Sequence, residues 1–104
     1  MQIETLSFAR RHVLGEMHSR CDEVELVPVY LEDDMETQVG FADQSMGRYR
    51  DAFSFHLPSD VCKKLSSGQF AFSFGYANAK PTDVFRKPRV RLTYICLTKI
   101  KRVA

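Results

Sequence analysis

The clearest signal in the chain is a period of two. Phe53, Phe55 and Leu57 alternate with Ala52, Ser54 and His56, which predicts a half-buried strand. Pro58-Ser59-Asp60 then reads as a helix start, with Ser59 as the cap and Asp60 suited to the positive end of the dipole. Val61 and Leu65 fall four apart, Lys63 and Lys64 lie near the C-terminal end, and Gly68 offers a left-handed stop. A short helix near 59–67 follows. In Gln69 to Tyr76 four aromatics, Phe70, Phe72, Phe74 and Tyr76, share one face while Ala71, Ser73 and Gly75 share the other. Only a strand produces that pattern, and its aromatic face reads as core, with Tyr76 at the strand end the exception. After a polar loop from Asn78 to Pro88, Val90, Leu92 and Tyr94 alternate with Arg91, Thr93 and Ile95. That strand runs on to Ile100, long enough to bend or carry a bulge.

The first half is less regular. Val24 to Glu32 is rich in β-branched and apolar residues, and Pro28 places this strand at an edge or a bulge. Thr37, Val39 and Phe41 alternate with Gln38, Gly40 and Ala42. With Glu32-Asp33-Asp34 as the turn, residues 24–42 form a hairpin. Residues 2–18 fit two patterns: Ile3 to Phe8 can be extended, yet Leu6, Ala9, Val13 and Met17 match one helix face. A strand at 2–9 followed by a long loop is the favoured reading. No repeat, linker or low-complexity tract divides the chain, so residues 1–104 form one domain. The expected architecture is mainly β: a small five- to six-stranded barrel, or a strongly curved sheet, with one short helix. In element order it resembles the OB-fold, a small barrel whose loops grip oligonucleotides. The likeness rests on that order and on no motif.

Composition agrees with a folded domain: 44% hydrophobic residues, 27% charged, and twelve aromatics in 104 residues. Charge is unevenly divided. Residues 1–52 carry a balance of −6 and residues 53–104 one of +8, so the net +2 hides a basic second half. Such asymmetry suits a surface that meets a polyanion, or two halves that neutralise each other on folding. Cys21, Cys62 and Cys96 are few, odd in number and widely spaced, which fits a reducing compartment. No stretch approaches the roughly 18 apolar residues of a membrane span, and the N-terminus lacks the pattern of a secretory signal. A soluble, cytoplasmic protein is expected.

The leading candidate for chemistry is the loop with the residues after it. Lys80, Arg86, Lys87, Arg89 and Arg91 place five cations within twelve residues, with Phe85 in their midst. Clustered cations bind phosphates, and an exposed ring stacks a base for ~1–3 kcal/mol. Arg48-Tyr49-Arg50 is a second basic-aromatic group, and Arg10-Arg11-His12 a third on the loop after the first strand. Each has a structural counter-explanation: Phe85 or Tyr49 tucked into the core, and arginines paired with the acids of the first half. His12, His18 and Cys21 do not complete a zinc site, and Glu32-Asp33-Asp34 lacks the spaced donors of a calcium loop. His56 and Cys62 are six apart with nothing to orient the imidazole, and no catalytic or cofactor fingerprint is present. No metal or cofactor is implied. These observations point to a non-catalytic binding module, with single-stranded nucleic acid as partner and Arg48, Tyr49, Arg50, Lys80, Phe85, Arg86, Lys87, Arg89 and Arg91 as its contacts. The alternatives are a protein-interaction or inhibitor module that self-associates as a homodimer through its long last strand, and a barrel holding a small apolar molecule.

Overall fold

In a computed structural model of the protein, the described residues are 2–18, 26–32, 34–44, 52–79 and 89–100. The chain runs β1 (Ile3–Ala9), α1 (Arg10–His18), β2 (Val27–Leu31), β3 (Asp34–Gln44), β4 (Ala52–Pro58), α2 (Ser59–Ser66), β5 (Phe70–Ala79) and β6 (Arg89–Lys99). The six strands form one strongly curled half-barrel sheet in the order β1-β4-β3-β2-β6-β5. All neighbours are antiparallel except β2 and β6, which pair in parallel over Val29–Leu31 and Ile95–Leu97.

The inside of the curl is filled by the residues whose alternation is plainest. Phe53, Phe55 and Leu57 are fully buried on β4, and Val29, Ala42, Ile95 and Leu97 join them. Burying each large side chain contributes ~1.5–3 kcal/mol. Phe70, Phe72 and Phe74 of β5 pack against this core, while Tyr76 at its end is 51% exposed. Helix α2 covers one end with Val61, Cys62 and Leu65. Its stop is Gly68, at φ 76°, where a side chain would strain the backbone.

Several expectations change. Residues 10–18 are a helix rather than a loop, kinked at Gly15 (φ 72°), and its Val13 and Leu14 enter the core. Ser59 does not cap α2. Its backbone N–H and its hydroxyl both donate to the Gln2 carbonyl, tying the start of the helix to the start of β1. β2 is an interior strand, not an edge. β6 is in register only with Val29–Leu31, so the missing N–H of Pro28 interrupts no rung of that ladder, and β2 is irregular at Tyr30 against β3. β6 is interior too, leaving β1 and β5 as the edges of the sheet.

Two strands change which residues face in. On β3 the small residues Gly40 and Ala42 face the core while Phe41 points out, 42% exposed. The space beneath them is already taken. A Cβ at Gly40 would sit 2.1 Å from the His56 carbonyl oxygen and 2.8 Å from Leu57 Cδ2. On β6 an irregularity opposite Gly75 and Tyr76 shifts the alternation, so Leu92 and Ile95 are buried and Tyr94 turns to the outer face. There Tyr94 lies over Gly75, where a Cβ would meet its ring at 2.1 Å, and contacts Tyr30 edge-on.

Candidate nucleic-acid interface

Strand directions decide what the basic groups can do together. Ala9 pairs with Ala52, and Gln44 with Phe53, so the end of β1, the end of β3 and the start of β4 share one end of the sheet. The parallel β2–β6 register sends the start of β6 toward that same end, and Ala79 pairs there with Arg89. Both basic segments therefore join the sheet at one end. β3 and β6 flank β2, so their attachment strands are roughly 10 Å apart at 4.8 Å per strand.

Of the nine candidate residues, Arg91 is exposed on β6 opposite Ala77, and Arg89 begins that strand. Arg48, Tyr49, Arg50, Lys80, Phe85, Arg86 and Lys87 lie outside the described residues. The third basic group divides. Arg10 is buried, its guanidinium 5.6 Å from the centre of the Phe53 ring, an arrangement in which the cation meets the negative face of the π system. It is a core residue. Arg11 is exposed, and His12 stacks on Phe8 with centroids 5.8 Å apart.

The outer face carries a row absent from the sequence reading. Thr5 Oγ1 lies 3.1 Å from His56 Nδ1, and Asp43 Oδ1 lies 3.4 Å from His56 Nε2. With Nε2–H donating to the carboxylate, Nδ1 accepts from the threonine hydroxyl. Phe41 leans on the same imidazole at 5.5 Å between centroids. These residues are 13 and 51 apart from His56, and only strand pairing brings them together; Phe41 and Thr5 each sit directly across from it. His56 and Cys62 do not form a pair: the first faces outward and the second lies on the buried face of α2. Burial pushes the Cys62 thiol above its ordinary pKa, and the negative charges of Glu4 and Asp60 push it the same way. Such a thiol stays protonated and weakly nucleophilic.

Among the described residues no group of three or more metal-ligating side chains converges, and no helix is long and apolar enough to cross a membrane. A cleft of about 750 Å³ opens between β1 and β5, floored by Phe8, Phe70 and Phe72. No protein-family model matches the chain, and comparisons with curated proteins and with solved structures find none similar to it.

Proposed function

We propose that the protein is a small, non-catalytic module that binds single-stranded nucleic acid at the end of the half-barrel where residues 45–51 and 80–88 attach. The observation that supports this reading is the shared end of the sheet: Gln44, Ala52, Ala79 and Arg89, the residues that bracket both basic segments, lie there together. Arg91 of β6 and the exposed ring of Tyr76 of β5 lie on the half of the β5–β6 hairpin nearer that end. Backbone phosphates would meet the cations of both segments, with Tyr49, Phe85 and Tyr76 stacking bases. Specificity for sequence would be weak, because stacking accepts every base.

The test is fluorescence anisotropy of a labelled single strand of about 20 nucleotides, titrated at low and near-physiological salt. Micromolar or tighter binding is expected, with log K falling by ~0.7 per phosphate neutralised for each decade of salt. Phe85→Ala should weaken it by ~1–3 kcal/mol, and Arg86→Ala/Lys87→Ala should also make the salt dependence shallower. An absence of binding at low salt would retire the proposal.

A further inference from the structure

The half-barrel is open along one seam. β1 and β5 are the edge strands, and the chain of pairings makes them run in the same direction. Phe8 and Phe72 reach inward from the two sides and meet with ring centres 5.3 Å apart. Above these rings lies the 750 Å³ cleft, with Leu6, Leu65, Phe70 and Ile100 completing its apolar lining and His12 at one side. That volume lies within the ~300–1,000 Å³ typical of binding sites.

We propose that this seam receives an extended peptide segment of a partner protein, apolar at alternate positions and flanked by acidic residues, which adds as a seventh strand between β1 and β5. Three observations specify that occupant. The walls are strand edges: among the described residues β1 pairs only with β4 and β5 only with β6, so no strand pairs with the other side of either. An edge of this kind offers a row of backbone donors and acceptors that only another backbone satisfies along its length. A strand placed between two edges that run the same way can be antiparallel to both, the more stable arrangement.

Helices α1 and α2 pack beside both edge strands, and the edges themselves carry little that would repel another strand. Proteins blunt free strands with charge or proline, yet Phe70–Ala79 holds neither and Ile3–Ala9 holds only Glu4. Finally, the surroundings are cationic. Arg11, Lys64 and Lys99 are exposed and adjoin the lining residues His12, Leu65 and Ile100 in the chain. No acidic residue is next to a lining residue in the chain, and the nearest, Glu4, lies two positions from Leu6 on β1. An acidic peptide is therefore drawn to this mouth and a basic one is repelled.

The experiment is selection from a library of randomised seven-residue peptides on the full-length protein, followed by two challenges to a selected peptide. Sequences with alternating apolar positions and flanking Asp or Glu should be enriched. N-methylation of alternate backbone amides should weaken binding at least tenfold, since it removes main-chain hydrogen bonds and leaves the side chains intact. Lys64→Glu/Lys99→Glu, at exposed positions, should weaken it about tenfold by like-charge repulsion while the far-UV circular dichroism stays unchanged. Failure to enrich any sequence, or binding that survives N-methylation, would overturn the proposal. So would micromolar binding of dodecanoate at the seam with no peptide bound, which would make the seam a small-ligand pocket. The seam is separate from the basic end of the sheet, so oligonucleotide binding and peptide binding succeed or fail independently.

Discussion

Single residues record where the chain was bent to fit. Glu32 sits at φ 57°, a left-handed conformation in which Cβ crowds the following carbonyl. Its neighbours hold it there: its N–H donates to the Leu97 carbonyl at 2.6 Å, and its carbonyl accepts from the Cys96 thiol. Asparagine tolerates this conformation better, so Glu32→Asn should raise stability by up to ~1 kcal/mol, read as an increase in the urea midpoint at unchanged m-value. Cys62 supplies a pH signature. Its pKa is raised in the folded state, so the stability it contributes is complete below the ordinary thiol value of about 8.5 and is lost as pH rises through the folded value. The melting temperature should therefore fall on the alkaline side, and Cys62→Ala should flatten that fall while lowering stability at neutral pH through the lost packing. Alkylation of Cys62 in the folded protein should be slow throughout the neutral range.

At the scale of elements, the sequence announced its strands where one face alone is buried. Phe53 to Leu57 and Phe70 to Phe74 behave as their alternation says, because large apolar residues on one side leave a single choice of face. β3 misled for the opposite reason. Phe41 and Ala42 are neighbours, and size favours burying the phenylalanine, but β4 already fills the space with Phe55 and Leu57. That occupancy is a property of the neighbouring strand. Gly40→Ala tests it: the added methyl meets backbone at His56, which cannot swing aside as a side chain would. A loss of ~1–3 kcal/mol is expected, measured by chemical denaturation. α1 lost out to a loop although Val13 and Met17 fit a helix face, because Arg10-Arg11-His12 reads as polar; contact with Phe53 buries Arg10, and His12 lies against Phe8 and Phe72, while Arg11 stays exposed. The inversion within β6 depends on an irregularity that no residue type marks. Of the candidate interface, the cations were legible as a composition; that their segments attach at one end of the sheet depends on the parallel β2–β6 register, which local patterns do not encode.

The whole molecule turns on that register. Three residues of β2, Val29–Leu31, and three of β6, Ile95–Leu97, form the only ladder between the strands before α2 and those after it among the described residues. These partners are 66 positions apart, so the sheet cannot close until nearly the entire chain takes part. A chain ending at Pro88 should lose more than two strands' worth of structure: it should melt without a cooperative transition and bind a hydrophobic dye, checked by circular dichroism and dye fluorescence. The same dependence governs how the protein is made. Because β6 is an interior strand and follows the other five in the chain, a chain synthesised only as far as residue 88 has Phe53, Phe55 and Leu57 without the cover of Leu92, Ile95 and Leu97. Residues 1–88 carry a balance of −3, with 10 basic against 13 acidic side chains, so chains at that stage repel one another. Residues 89–104 then add five cations and no acid, which brings the total to +2. The uneven spread of charge thus gives the chain one sign before its completing strand is made and the other sign after it.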